Sequence, residues 1–323
     1  MNQPANKKHA LWLSVVVVSL LFCKSTFGFD VQGHRGARGV LPENTLAGFT
    51  HALSIGVTTL ELDVVITRDD VVVVTHDPEL SPSIVRKNGA WLTQPGPVIR
   101  SLSADQLKQY DVGRINPESR YASRFPHQRA VDGARIPTLA DVIQLVKRTG
   151  SPNVKLNIEP KLDPDAPAPK PTAAQAARAV LKVLDDEHFL HRAIIQSFNW
   201  QVLLEVQTLA PTAKTAFLTV ERKWMDTIRR EAAETSPWTA SFDIGHFQGS
   251  IPAMVNAAGG QIWSPYYRDT TPALIAEAHD LGLEVIVWTV NEPVDMINLI
   301  QHGVDGIITD YPDRLLELLK SAD

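Results

Sequence analysis

Two histidines, three carboxylates and two cations stand where short apolar runs end, and their side chains suit one kind of chemistry. Gly33-His34-Arg35-Gly36 directly follows the run Asp30–Gln32. An imidazole moves protons near neutral pH, and a guanidinium grips phosphate or carboxylate through a planar fork. The flanking glycines let the backbone approach a ligand closely. Glu61 and Asp63 lie two residues apart in Thr59–Val64. On a strand they share one face, while Leu60, Leu62 and Val64 take the other. Asn157, Glu159 and Lys161 repeat the alternation, with Leu156 and Ile158 opposite. His76 follows the run Val71–Val74 and is a second proton carrier.

Buried carboxylates repel one another and are costly to ionise alone, and a hard divalent cation bound through oxygen removes that cost. Lys161 could neutralise a bound anion as a point charge. A metal, two cations and two proton carriers together suit hydrolysis of a phosphodiester. Each part also has a structural alternative. The His34-Arg35 segment could be a helix-capping loop with a solvated arginine. Arg or Lys neighbours could satisfy Glu61 and Asp63, Glu159 and Lys161 could form an internal pair, and His76 could be structural.

Such a cluster needs a frame that brings separate strand ends together. Strands are predicted near Asp30–Gln32, Thr59–Val64, Lys155–Glu159, Ala193–Ser197, Thr215–Leu218, Gln261–Trp263, Glu284–Trp288 and Gly306–Ile308. Amphipathic segments lie between them, among them Thr45–Ile55, Leu139–Lys147, Ala173–Asp185, Trp200–Leu209, Pro272–Leu281 and Pro293–Gln301. Thr138 and Asn199 read as N-caps, and Gly56, Gly150, Gly282 and Gly303 as stops. This alternation predicts an α/β fold, a (β/α)8 TIM barrel whose functional residues stand at the strands' C-terminal ends. An open doubly wound sheet is the alternative. Two stretches break the pattern. Residues 79–135 are long and rich in Pro, Gly and Ser, with a short helix predicted over Ser103–Tyr110, and read as an insertion after the second strand. Pro164–Pro171 carries four prolines in eight residues and reads as an extended surface connection.

Composition narrows the class. A 44% hydrophobic and 21% charged chain is globular, not disordered, collagen-like or polytopic. The net charge of -5 offers no electrostatic footprint for nucleic acid. Lys7 and Lys8 precede an apolar run, Ala10–Cys23, that is too short to span a bilayer. With small residues near Thr26 and Gly28 it reads as a signal peptide over residues 1–28, leaving a single domain over 29–323 that is exported, periplasmic or secreted. Cleavage would remove Lys7, Lys8, Lys24 and no acid, leaving 28 basic against 36 acidic residues and a balance of -8. It would also remove Cys23, the only cysteine, and with it any disulfide, thiolate metal site or cysteine nucleophile.

The stretch from His34 to Leu80, HRGARGVLPENTLAGFTHALSIGVTTLELDVVITRDDVVVVTHDPEL, resembles the signature of the glycerophosphodiester phosphodiesterase family. Ile136-Pro137-Thr138-Leu139, Ile158-Glu159-Pro160-Lys161, Gln196-Ser197-Phe198, Trp288-Thr289-Val290-Asn291 and Thr309-Asp310-Tyr311-Pro312 extend the likeness over nearly the whole chain after residue 28. The resemblance implies an α/β barrel with a small insertion matching Glu79–Arg135. It implies Glu61, Asp63 and Glu159 as metal ligands and His34 and His76 as the acid–base pair. Arg35 and Lys161 then lie near the phosphate, and Trp288 against the glycerol or the alcohol. Asn44 would shape its loop and Glu43 would lie near the metal. The expected cofactor is a divalent cation, Ca2+ favoured and Mg2+ possible, since oxygen ligands without thiolates suit these over zinc. The expected partner is a small glycerophosphodiester, cleaved to sn-glycerol 3-phosphate and an alcohol. No nucleic acid and no stable membrane span are expected, and protein partners are left open. Rival readings are a metal-independent phosphoinositide phospholipase, a related barrel phospholipase D and a non-catalytic phosphodiester-binding protein.

Overall fold

A computed structural model describes residues 28–149 and 151–322. The predicted leader, apart from Gly28, and the helix stop at Gly150 lie outside the described residues. The eight predicted strands form β1 (Asp30–Gly33), β2 (Thr59–Ile66), β3 (Lys155–Pro160), β4 (Ala193–Ser197), β5 (Lys214–Thr219), β6 (Ile262–Pro265), β7 (Glu284–Val287) and β8 (Gly306–Thr309). Each pairs in parallel with the next. β1 pairs with both β2 and β8. That last pairing closes the sheet, so the fold is the TIM barrel and not the open doubly wound alternative.

Helices follow the strands: α1 (Leu46–Ile55), α2 (Leu139–Arg148), α3 (Ala173–Asp186), α4 (Trp200–Leu209), α5 (Ile251–Ala257), α6 (Pro272–Asp280), α7 (Pro293–Gln301) and α8 (Pro312–Ala322). Their ends are set by local chemistry. The Thr138 hydroxyl accepts from the Asp141 N–H and Asn199 from the Gln201 N–H. Gly56 closes α1 in the left-handed region, at φ +96°, where a side chain would be strained. The strand alternation sends Leu60, Leu62, Leu156 and Ile158 outward, into one core with Phe49, Ile143, Val180 and Trp200 from the helices. Inside, the barrel is two-sided. Ile194, Ala216, Ile262, Ile286 and Ile308 fill one part. Gln32, Glu61, Asp63, Asn157, Glu159 and Gln196 are the buried polar residues that alternate with the outward apolar ones on β1–β4.

The chain leaves β2 through a reversal into Val72–Val74, which pairs antiparallel with Val64–Ile66. Beyond it Arg86–Lys87, Ala90–Trp91 and Tyr110–Asp111 make a small sheet. Leu80, Val85, Ile99, Leu107 and Tyr110 form its own core, together with Val65 and Val73 of the reversal. The short helix predicted over Ser103–Tyr110 is confined to Ala104–Leu107, behind a Ser103–Gln106 capping box. It stops because Tyr110 is buried in that core and Asp111 pairs with Arg86, which commits both residues to strand. The proline-rich connection carries no regular structure, and Lys170 Nζ ties it by donating to the carbonyls of Asp163 and Pro164, at 2.9 and 2.7 Å.

Ile99→Ala would open a cavity in the insertion's core, and a loss of about 2–5 kcal/mol is expected for a buried residue of this kind. Urea unfolding measures it. A loss below about 1 kcal/mol would mean that this core is not packed as described.

Candidate active site

The β1–α1 loop is built by steric necessity. A Cβ on Gly33 would lie 2.1 Å from the Gly36 carbonyl oxygen, and one on Gly36 would meet the Gly48 carbonyl carbon at 2.9 Å. Only glycine fits either position, and the tight turn between them carries His34 and Arg35. Arg35 itself is held in the left-handed region, at φ 51°. That conformation aims its backbone N–H at Glu61 Oε2, 2.9 Å away. Its side chain reaches Glu43 Oε1 from Nη1 at 2.6 Å, while Nε lies 3.1 Å from Asp63 Oδ2 without a well-aligned acceptor. Glu43 also accepts from the Tyr121 hydroxyl, which the insertion supplies. Glu43 thus holds Arg35 and stands one side chain away from the group of Glu61, Asp63 and Glu159. Asn44, also left-handed, donates from Nδ2 to Asp63 Oδ2 at 3.0 Å.

His34 is oriented from the opposite end of the sequence. Its Nδ1 lies 2.6 Å from Asp310 Oδ1. The carboxylate accepts a hydrogen bond from Nδ1–H, which leaves Nε2 without a proton and facing Glu61 Oε2 at 3.9 Å. Asp310 also accepts from Arg38 Nε and Nη2, at 2.8 and 3.1 Å, and from Asn291 Nδ2 at 2.8 Å. Burial and then the Arg38 charge push His34 down to about 4, against the pull of Asp310. Burial opposes ionisation of Asp310 too, but Arg38 and His34 outweigh it and hold its carboxyl far below the usual range.

Strand register assembles the acid cluster. Glu61 pairs with Asn157 and Asp63 with Glu159, so β2 and β3 place Asp63 and Glu159 side by side. One oxygen from each of Glu61, Asp63 and Glu159 lies within 4.8 Å of the others, and all three residues are buried. Lys161 Nζ donates to Glu159 Oε1 at 2.8 Å and stands 3.7 Å from Asp63 Oδ1. Cations therefore satisfy two of the acids in part, as the structural alternative proposed. Glu61 differs: its oxygens accept from the Arg35 backbone and from Gln196 Nε2, at 2.9 and 2.8 Å, both neutral donors. Burial, then the Asp63 charge, raise its carboxyl well above the ordinary range. Burial raises Glu159 as well, against Lys161. For Asp63 burial is outweighed by Arg35, His76 and Lys161, and its carboxyl stays ionised. An all-oxygen set with one acid lacking a cation in hydrogen-bond contact fits a hard divalent ion.

His76 stands on the loop after Val72–Val74, half-buried, with Nδ1 2.7 Å from Asp77 Oδ1. Burial, then Arg35 and Lys161, lower its pKa. Trp288 follows β7 and donates from Nε1 to the Ser264 carbonyl at 3.0 Å. The eight residues given catalytic, metal-binding or substrate-binding roles from the sequence line one pocket of about 730 Å³: His34, Arg35, Glu61, Asp63, His76, Glu159, Lys161 and Trp288. The sequence assigns no role to Asp310, Asn291, Gln196 or Arg38, although all four stand in quoted motifs, Gln196 within β4 and the others just past strand ends. Tyr121 had no comparable signal, since it lies in a stretch that reads only as loop.

Residues 34–314 match the model of the glycerophosphoryl diester phosphodiesterase family. The chain is similar to a solved structure of a candidate glycerophosphoryl diester phosphodiesterase from Silicibacter pomeroyi DSS-3. That pair is 38% identical with a TM-score of 0.80, over 92% of this chain and 95% of that one. It is 28% identical to a glycerophosphodiester phosphodiesterase from Caldanaerobacter subterraneus, over 90% of this chain and 97% of the relative. A phosphodiesterase from Oleispira antarctica, solved in complex with the product sn-glycerol-3-phosphate, shares the fold at a TM-score of 0.65 and 22% identity, over 90% of this chain and 96% of that one.

Asp310→Asn removes the acceptor that fixes the His34 tautomer. The expected result is a fall of about 10²–10⁴-fold in kcat for phosphodiester cleavage with a smaller change in KM. Imidazole ¹⁵N shifts should show the His34 proton redistributed between Nδ1 and Nε2. Unchanged shifts and unchanged kcat would show that the pair does not set the tautomer.

Proposed function

The chain belongs to the glycerophosphoryl diester phosphodiesterase family, and from that premise we propose that it is an exported, metal-dependent enzyme converting a glycerophosphodiester and water into sn-glycerol 3-phosphate and an alcohol. The observation that carries this reading is Glu61, a buried acid between two others and without a cation in hydrogen-bond contact. A metal-independent phospholipase would have no use for it. Glu61, Asp63 and Glu159 would hold the ion, Ca2+ in preference to Mg2+, which when bound supplies positive charge for the phosphoryl oxygens and lowers the pKa of a hydroxyl or water.

The protein's own groups do the rest. Arg35 and Lys161 hold the phosphate and offset its charge, and Glu43 fixes the Arg35 fork through Nη1 while Nε lies against Asp63. His34 has its Nδ1 committed to Asp310 and is held neutral, so Nε2 is free to take a proton from an attacking water or, by way of a cyclic phosphate that water then opens, from the glycerol hydroxyl. His76, on the side of the insertion, gives a proton to the departing alcohol as its bond to phosphorus breaks. The basic start, short apolar run and small residues of positions 1–28 support export to the periplasm or beyond. A role in degrading glycerophospholipid remnants, as a source of phosphate or glycerol, follows from that location and this reaction.

Chelation is expected to abolish turnover, and Ca2+ or Mg2+ to restore it. Glu159→Gln should raise the metal concentration needed for half-maximal activity, because a charged ligand is lost. Full activity in excess chelator, or an unchanged titration in the variant, would refute the metal assignment.

The histidines separate by leaving group. His34→Ala and His76→Ala should both fold and lose about 10²–10⁴-fold in rate on a natural diester. An activated nitrophenyl diester needs no acid, so it should largely rescue His76→Ala and leave His34→Ala inactive. The reverse rescue would exchange their roles, and full activity of both on the natural substrate would remove acid–base catalysis.

A further inference from the structure

Beside the acid cluster the same pocket turns aromatic. Phe198, Trp224, Trp238 and Trp288 all line it. Phe198 meets Trp288 edge to face at 5.3 Å and 84°, and Trp238 at 6.4 Å and 83°. Trp224 meets Trp288 at 6.5 Å and 80°. Successive rings are nearly perpendicular, so the wall turns corners and presents ring faces on more than one side. Tyr266 backs Trp224 and Trp288, at 5.6 and 5.5 Å. The Trp288 N–H is already spent on the Ser264 carbonyl, so that ring offers a ligand its face and not a donor. Trp224, on the hairpin of Glu221–Arg222 and Met225–Asp226, is 62% exposed. A tryptophan that open, standing in a pocket wall, is surface for a ligand to cover.

The aromatic wall adjoins the anion site. Lys161 Nζ lies 5.8 Å from the Phe198 centroid. Its charge is matched by Glu159 at 2.8 Å and Asp63 at 3.7 Å, so it leaves no uncompensated repulsion for a second cation nearby. A ligand that carries its phosphate at Lys161 and a short alcohol beyond it would lay that alcohol against these rings.

Resting on the phosphodiesterase reading above, we propose that this box is the subsite for the leaving alcohol and that it selects a quaternary ammonium, so that the preferred substrate is a choline diester of glycerol phosphate. A trimethylammonium presents only methyl groups and a diffuse positive charge, which ring faces attract. It has no N–H to satisfy. A primary ammonium brings three strongly hydrated donors that a ring face cannot satisfy, and a glyceryl group brings hydroxyls to the same place. A hydrocarbon chain would fill the wall by apolar burial alone and gain nothing from the electronegative faces. The protein's net charge of -5 adds a mild general attraction for a cationic end.

The test compares kcat/KM of the metal-loaded enzyme on glycerophosphocholine, on glycerophosphoethanolamine and on the uncharged isostere whose alcohol is 3,3-dimethylbutanol. The choline ester should exceed each of the others by about tenfold. Trp224→Leu should bring the ratio of choline ester to isostere close to one, while Trp224→Phe should keep most of it. Equal rates on choline ester and isostere would make the wall a hydrocarbon surface and overturn the proposal, as would a ratio unmoved by Trp224→Leu. Quenching of tryptophan fluorescence by tetramethylammonium, against sodium at the same ionic strength, reads the box without turnover. Saturable quenching in an enzyme that hydrolyses none of the diesters would support the box and refute the reaction. Equal hydrolysis of all three esters without such quenching would refute the box and leave the reaction standing.

Discussion

Glu61, Asp63 and Glu159 bring oxygens within 4.8 Å of one another in a site buried from bulk water. Like charges about 4 Å apart repel by about 4 kcal/mol at an effective dielectric of 20. A neutral hydrogen bond returns only about 0.5–1.5 kcal/mol net. Neutral donors alone therefore cannot keep three acids ionised here. The surroundings answer that deficit: Arg35 and Lys161 flank Asp63, Lys161 pairs Glu159, and Glu61 is left to a proton or a metal. Removing the acids would relieve the repulsion, strip Lys161 of both its carboxylates and leave Arg35 with Glu43 alone, so the site holds together only as a set.

The same deficit explains features distant from the acids. Arg35 must reach Asp63 while its backbone faces Glu61, and only a left-handed residue between two sterically obligate glycines does both. Strain of that kind persists where neighbours over-determine it. Glu43 and Tyr121 supply the determination, which ties the insertion to the first loop of the barrel. Asp310 does the same for His34 from the last strand's end, so the chain's first and last strand ends meet over the site.

Alternation made most of this legible. Glu61 with Asp63, and Asn157 with Glu159, share strand faces in any register, and the apolar residues between them point to the helices. The closure of β1 on both β2 and β8 was implied by the count of strands, and pairing completes it. What stayed hidden depends on contacts between segments far apart in the chain. Nothing local distinguishes an Asp after β8 that orients a histidine 276 residues earlier from one that caps a helix. Glu43 reads from the sequence only as lying near the metal, and the direction of the Arg35 fork gives it the task of holding that arginine. The helix predicted over Ser103–Tyr110 ends at Leu107 for a similar reason, since a partner strand and a small core recruited its last residues.

The two-sided interior links barrel to pocket. On one side a chain of hydrogen bonds climbs from the barrel floor to the acids. Lys155 Nζ and Gln32 Nε2 donate to Asp30, Asn157 donates to both Gln32 and Gln196, and Gln196 donates to Glu61, with bonds of 2.8–3.1 Å throughout. Gln32 and Gln196 each accept from Asn157 Nδ2 through the side-chain oxygen and donate from the nitrogen, so the orientation of one fixes that of its neighbour. On the other side isoleucines fill the floor and Trp288 packs on them. The polar ladder can end only in a charged, ligand-binding cluster, and the apolar stack only in a hydrophobic or aromatic rim. The two sides meet on β4, where Gln196 belongs to the ladder and Ile194 to the apolar stack, so the anionic and aromatic parts of the mouth adjoin along that strand.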